Sequence, residues 1–501
     1  MPNNMRNDGK GTNPSQENVK DTFLDFTGIR SGIPITRNLV IVYVVSILAF
    51  ILLSKLPLSH YGEKTALALG FFVAMIMQMI FLRIPIVIPA IIIIVGGTML
   101  ELWTWGDVSA TLGNSPLYSI MGMMIVAMGA EFTPIGKRIA YGFLKLFGQK
   151  PTRVIVVVGA TTALLSAFVS NIATIILMSS IAAGLLDAMK EEPGQSKIGR
   201  TLMPLISAAS MVGGCALISG SPIGNTIAIG FMENASGGAY TVTYQQWAYM
   251  GILTLCAVVI PLCYIYIKCN KLKDEELSVL PQSYYDELLA SLGPIGGSEM
   301  RWLIIVVAMV ATMLSGVMGT AQAAMLFAVI SMLPLVGTVP VSGVFQKLPF
   351  QILVSCGMLP ILARLFSDHG LGELMSDLIM PLVGNFSPLM FSIFSAVTMG
   401  VLVNGFVNAT QPSSSLVISI MTPICMSLGY NPTIVMMPTL FLGSMFFVFG
   451  MNNIMLLNYG YGYWEMNDTV LPGAIGVLFV AIVSSVICCL LGPVFGMPLT
   501  I

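Results

Sequence analysis

The chain has 501 residues, 56% of them hydrophobic and only 9% charged, with a mean hydropathy of +0.88. A soluble globular domain carries roughly 25% charged residues, so this composition excludes a soluble protein and predicts an all-α polytopic membrane protein. The net charge of -1 gives no general attraction to nucleic acid. The eight cysteines form no Cys-x-x-Cys pair and the two histidines, His60 and His369, lie far apart, so spacing assembles no metal cluster.

Residues 1–36 are polar and read as a cytoplasmic tail; they contain no apolar run and do not resemble a cleavable signal peptide. Apolar spans are predicted at 38–55, 65–82 and 84–100. A short outer loop with Glu101, Trp103, Trp105 and Asp107 follows, then a span from Leu117 to Phe132. Together 37–133 read as the first half of a scaffold. Within 134–150, Gly136-Lys-Arg-Ile-Ala-Tyr-Gly-Phe-Leu-Lys145 is basic and amphipathic, which predicts a helix lying along the membrane surface.

Between Arg153 and Asp187 lie 33 uncharged residues. One membrane-spanning helix needs about 20 apolar residues and two need about 40. The run therefore predicts a re-entrant hairpin with Ser170-Asn171 at its turn. Polar groups at that depth are costly when unpaired, and they line a water-filled or ligand-filled cavity. After the polar segment Asp187 to Arg200, the apolar stretch 202–232 is broken by Ser219-Gly-Ser-Pro-Ile-Gly-Asn-Thr226. Gly and Pro at this density interrupt a helix, and Pro222 is placed to be the first residue of a restarting half-helix. Interrupted helices of this kind form substrate sites near the bilayer midplane. A span at 246–268 closes the unit 151–269, read as the first half of a transport domain. The charged stretch 270–300 reads as a cytoplasmic linker.

The second half repeats this plan. Spans are predicted at 302–318, 321–338 and 349–366, giving a second scaffold half over 301–366. A charged amphipathic piece, Ser367 to Asp377, opens an external surface helix over 367–385. The unit 386–501 is the second transport half. It lies largely within 87 uncharged residues between Asp377 and Glu465. Here stand Asn404, Asn408-Ala-Thr-Gln-Pro-Ser-Ser-Ser415 and a second break at Gly450-Met-Asn-Asn453, before a final span at 471–492. Gly136 precedes Asn171 by 35 positions and Gly372 precedes Asn408 by 36. Each Asn is followed by a break with its own Asn, Asn225 and Asn453. A duplicated plan of hairpin and interrupted helix points to a secondary transporter.

Charge sets the expected orientation. The first surface helix region carries Lys137, Arg138, Lys145, Lys150 and Arg153, whereas its counterpart carries only Asp368, Glu373 and Asp377. The positive-inside rule puts the first in the cytoplasm and the second outside. The halves are then inverted, with a cytoplasmic N-terminus and an external C-terminus, in a plasma or inner membrane crossed by about 11 helices plus two re-entrant hairpins. Arg364 is the last basic residue, so the loop 460–470 is expected in the cytoplasm without any Lys or Arg. Arg301, Lys347 and Arg364 read as interfacial snorkelling residues.

Neither 154–186 nor 202–232 contains Lys, Arg, His, Asp or Glu, which excludes a proton relay of buried carboxylates there. No intramembrane Asp pair, His-Glu-x-x-His or Gly-x-Ser-x-Gly supports a membrane-embedded enzyme. A neutral site holds an anion through half-helix N-termini, here after Asn171, Pro222 and Pro412. Carbonyl and amide oxygens at the same turns suit a hard cation such as sodium.

The basic surface helix (Gly136-Lys-Arg-Ile-Ala), Leu165-Ser-Ala-Phe-Val-Ser-Asn-Ile-Ala-Thr174, Gly220-Ser-Pro-Ile-Gly-Asn-Thr226 and the degenerate second copy, in that order, resemble the divalent anion/sodium symporter family from about residue 37 onward. The resemblance implies a homodimer whose protomers each have a scaffold and an elevator-type transport domain. It implies transport of di- or tricarboxylates or sulfate, and leaves sodium symport and anion exchange both open. The alternatives are another oxyanion, or a cation/proton antiporter of the same superfamily. The implied substrate-binding residues are Ser170, Asn171, Thr174, Pro222, Asn225, Thr226, Asn408, Thr410 and Asn453. The implied sodium ligands are Ser166, Asn171 and Gly220 at one site, and Asn404, Asn408 and Gly450 at a second. The resemblance implies no cofactor, with sodium as the coupling ion in the symport case. The chain departs from the family pattern at Ile172, Val403, Val407 and Ala409, where hydroxyl side chains are expected; Thr174, Asn404, Thr410, Gln411 and Ser413 are available in their place.

Overall fold

The computed structural model describes residues 37–81, 84–147, 151–273, 280–407, 410–448 and 454–501. Regular structure in them is helical, apart from one isolated bridge between Tyr430 and Thr500. The first half comprises α1 (Arg37–Leu53), α2 (Thr65–Phe81), α3 (Val87–Met99), α4 (Trp105–Leu112), α5 (Ser115–Met128) and the basic helix α6 (Ile135–Phe147). It continues with the hairpin α7 (Pro151–Phe168) and α8 (Asn171–Ala188), the interrupted pair α9 (Lys197–Gly214) and α10 (Pro222–Ala235), and α11 (Tyr244–Cys269). After α12 (Gln282–Ser291) the second half comprises α13 (Gly297–Ser315), α14 (Thr320–Met332), α15 (Val341–Lys347), α16 (Phe350–Met358), α17 (Arg364–Asp368) and α18 (Leu371–Val383). Then come the hairpin α19 (Pro388–Val401) and α20 (Thr410–Ser427), the short helices α21 (Pro432–Val435) and α22 (Met437–Leu442), and α23 (Val470–Leu491).

Local chemistry sets many of these limits. Thr104 and Asp107 form a capping box at the start of α4, and Thr243 and Gln246 do the same for α11. Asn114 and Ser387 cap α5 and α19, each followed by an early Pro. Gly316 ends α13 in the left-handed region, with φ 68°. The expected span 349–366 is observed as one apolar helical stretch, Phe350–Asp368, which tightens to 3-10 over Leu359–Ala363, where Pro360 withholds an N–H. Helix α14 ends at Met332, just before Leu333-Pro334, rather than running to 338.

Among the described residues, six helical stretches are long and apolar enough to cross a membrane: Asn171–Ala188, Tyr244–Cys269, Gly297–Ser315, Phe350–Asp368, Pro388–Gly405 and Met466–Phe495. Shorter apolar helices are Arg37–Leu53, Thr65–Phe81, Val87–Met99, Thr152–Phe168 and Thr320–Met332. The arms α7 and α8 have 18 residues each, about 27 Å at 1.5 Å per residue. They are longer than the half-spans read from the uncharged run, because α7 begins at Pro151, ahead of Arg153.

Helix α23, with 22 residues, is about 33 Å long and separates two faces of the molecule. At its start, the Tyr463 hydroxyl donates to Glu191 O at 3.2 Å and Arg200 pairs with Asp468 at 3.5 Å. The loop 459–468 therefore shares a face with the base of the first hairpin, and Arg200 supplies the positive charge that the loop lacks. Beyond its end, Ile501 N donates to Gly429 O at 3.0 Å beside the Tyr430–Thr500 bridge. The base of the second hairpin lies on that opposite face, so the two hairpins are inverted relative to each other. The halves also interlock: α10 packs along α20, and α8 meets the 3-10 turn Met455–Leu457.

One buried ion pair ties the basic helix to the segment between the halves. Arg138 Nε donates to Glu299 Oε2 at 2.8 Å and its Nη2 to Oε1 at 3.2 Å, while Nη1 reaches Gly293 O at the end of α12. The Glu299 side chain is 3% exposed. Removing one partner of such a pair leaves a buried charge bare. Glu299→Ala is expected to lower the apparent Tm in detergent by several degrees, and Arg138→Met/Glu299→Met together to recover most of that loss, read by thermal melting.

Candidate functional site

The turn of the first hairpin is built by a cap. Ser170 is the N-cap of α8, and its Oγ accepts from Ala173 N at 3.4 Å. Behind it Ser166 Oγ donates to Asn171 Oδ1 at 2.7 Å and lies 3.0 Å from Ser210 Oγ on α9. Ser210 Oγ lies 3.2 Å from Asn171 O. This approach depends on glycine. A Cβ on Gly214 would sit 2.0 Å from Asn171 Oδ1, and one on Gly220 would sit 2.7 Å from Ser166 O. The oxygens of Ser166, Asn171, Ser210 and the Gly214–Gly220 break thus converge in a fully uncharged region. Neutral oxygens at this density are the donor set of a hard monovalent cation.

The break itself is held by Asn225, which is fully buried. Its Nδ2 donates to Gly214 O at 2.9 Å, a carbonyl that the end of α9 leaves unpaired, and to Leu217 O at 3.1 Å, which also accepts from Gly220 N. Asn225 therefore braces the interruption. Pro222 stands in the first turn of α10, as expected, and the N-cap Ser221 makes no side-chain cap bond, so this helix start keeps N–H groups free for a ligand. The hydroxyls of Thr174 and Thr226 are buried with no hydrogen-bond partner.

The second half differs. A π-helical turn, Leu402–Val407, leads to the second hairpin tip. Asn404, expected as a sodium ligand, donates through Nδ2 to Gly400 O and Met445 O at 2.9 and 3.0 Å. Its Oδ1 accepts from Phe447 N at 2.5 Å and Val448 N at 3.1 Å. An amide oxygen that already accepts two N–H groups is engaged as a brace. Val403 is fully buried, and Thr410 opens α20 half-buried. Asn408, Gly450 and Asn453 lie outside the described residues. Two features escaped the sequence reading. Asn458 is buried, with Nδ2 on Met203 O at 2.6 Å and Oδ1 accepting from Trp464 Nε1 at 3.1 Å. Ser414, Ser415, Ser419 and Ser444 carry buried hydroxyls with no partner; the run Ser413-Ser-Ser415 was the one available signal.

A cavity of about 590 Å³ opens between α4, α5, α10 and the segment 356–368. Its lining includes Asp107, Asn114, Thr226, Glu233, Arg364 and Asp368. Arg364 is not a snorkelling residue. Its Nη1 meets Asp107 Oδ1 at 2.6 Å and its Nη2 meets Asp368 Oδ2 at 2.8 Å. Arg364, and secondarily Thr104 N and Oγ1, hold the Asp107 carboxyl well below the usual carboxylate range. Arg301 and Lys347 do stay at the surface, on Leu335 O and on Glu131.

Residues 35–501 match the protein family described as the sodium:sulfate symporter transmembrane region. The sodium-dependent dicarboxylate transporter SdcS of Staphylococcus saprophyticus is 23% identical over 365 residues, covering 66% of this chain and 67% of that protein. SdcS of Staphylococcus aureus USA300 is 21% identical over 383 residues, 71% and 72% of the two chains. Among solved structures, the YdaH transporter of Alcanivorax borkumensis aligns with a TM-score of 0.51 at 13% identity, over 78% of this chain and 87% of that one. MtrF of Neisseria gonorrhoeae aligns with a TM-score of 0.52 at 12% identity, over 81% and 86%. At those identities the structural likeness speaks for the fold alone.

The bracing geometry has a direct test. Asn225→Ala strands the buried Gly214 carbonyl and removes one of two donors to Leu217 O, and is expected to cost roughly 1–3 kcal/mol. Asn225→Asp, which removes the donors and keeps the shape, is expected to do no better, as read from the melting temperature and yield of monodisperse protein.

Proposed function

The chain belongs to the sodium:sulfate symporter family, and from that premise we propose that it is a secondary transporter of small dianions, dicarboxylates foremost, with sulfate as the alternative cargo. The observation that carries this reading is the convergence of Ser166, Asn171 and Ser210 on the glycine-lined break. In this proposal Ser166, Asn171 and the Gly220 backbone hold a sodium ion. Ser170, Thr174, Pro222, Thr226 and Thr410 face the anion, with Asn408 and Asn453 contributing from the second half. The uncapped start of α10, together with the start of α8, carries the positive end of each helix dipole toward it. A cation beside a dianion lowers the electrostatic cost of both, which is the physical basis of coupling.

The proposal takes the protein as a homodimer in the plasma or inner membrane. The N-terminus lies in the cytoplasm, and each transport domain moves like an elevator against its scaffold. The engagement of Asn404 as a brace and the apolar Val403 favour coupling through one cation site over two.

Uptake of labelled succinate, citrate and sulfate into proteoliposomes, with and without a sodium gradient and with internal counter-substrate, tests the reading. Succinate uptake is expected to be highest, with a non-cooperative sodium dependence. No uptake of any anion under any condition would sink it. Asn171→Ala is expected to abolish uptake while the dimer still elutes intact in size-exclusion chromatography; normal transport by that variant would remove the hairpin tip from the site.

A further inference from the structure

The cavity beside α10 is of a size that suits a small organic ligand. Thr226, placed above at the anion site, is also one of its lining residues, so the cavity adjoins that site. Thr226 lines it, is 6% exposed, and its hydroxyl has no partner. A buried hydroxyl left this way is costly unless a ligand or water completes it.

Its rim carries one guanidinium among carboxylates. Arg364 is the sole Lys or Arg among the described lining residues, and it faces Asp107, Glu233 and Asp368. An anion passing this rim is repelled by every charged group except Arg364. The two ends of the guanidinium are held differently. Nε and Nη2 both bind Asp368, four residues on in the chain, at 2.9 and 2.8 Å. That bond is local and orients the fork. Nη1 instead crosses to Asp107 on α4, at 2.6 Å. Asp107 keeps other partners: its Oδ2 accepts from Thr104 N at 2.8 Å and Thr104 Oγ1 at 2.7 Å. It can release Arg364 without becoming a bare carboxylate.

We infer that Arg364 is an anion-capturing residue of an outer binding site in this cavity. A small carboxylate arriving from this face takes the place of Asp107 on Nη1 before it passes Thr226 to the hairpin-tip site. The inference rests on the anion-transport reading above. Asp107 is the built-in competitor, so its removal and the removal of Arg364 act with opposite sign.

The test is initial uptake of labelled succinate measured from each face separately, in right-side-out and inside-out membrane vesicles. Arg364→Gln is expected to raise KM roughly tenfold from one face, the loss of a charge-assisted contact, and to change KM from the other face by no more than about twofold. Asp107→Asn is expected to lower KM from that same first face. Equal KM shifts from both faces would overturn the inference, and so would a rise in KM for Asp107→Asn matching that of Arg364→Gln; the pair would then be a structural brace. Should Arg364→Gln not assemble, the sign of the Asp107→Asn shift decides alone. Absence of uptake by the unaltered protein would instead remove the transport reading itself, a result distinct from either.

Discussion

A helix interrupted inside a bilayer strands carbonyls at one end and N–H groups at the other, with no water to meet them. Much of this fold answers that demand. Asn225 meets the carbonyls of the first break, Asn404 meets both carbonyls and N–H groups around the second, and Asn458 fastens the irregular strand of chain beyond it to α9. Asparagine suits the task because one short side chain carries donors and an acceptor and no charge. With the carbonyl ends satisfied from within, the start of α10, where Ser221 makes no side-chain cap bond, is left as an electropositive group of the region, which suits the anion site proposed above.

Glycine supplies the second condition. Contacts at Gly213, Gly214 and Gly220 bring the backbone of α7 and its turn against the first break at distances that any side chain would obstruct. Small-residue seams of this kind are how helices approach closely where lipid offers no hydrophobic driving force. The hairpin tip and the break therefore pack directly against each other, backbone to backbone.

Much of this was legible from the residues. The uncharged run and its midpoint gave the first hairpin turn, Pro222 gave the restart of α10, and the contrast in basic residues gave two hairpins of opposite sense. What was not legible depended on contacts distant in sequence. Arg364 read as a snorkelling residue because its partner Asp107 stands 257 positions away, on a loop that seemed merely external. Asn404 read as an ion ligand because residue type alone does not say whether an amide oxygen faces a cavity or two N–H groups. The half-depth reading of the first hairpin failed to anticipate arms of 18 residues, since helices extend past the last uncharged position into the interface. Pro360, by contrast, marks the 3-10 turn within the span 349–366 in the sequence itself.

The pairing of Arg200 with Asp468 bears on how such a chain is made. The loop 459–468 contains Glu465 and Asp468 and no basic residue, so nothing local holds it on the face it shares with the basic half of the molecule. Its charge balance is supplied by a residue synthesised 268 positions earlier, together with the Tyr463 contact on Glu191. The segment leading into α23 therefore acquires its charge balance only once the first half has folded against it.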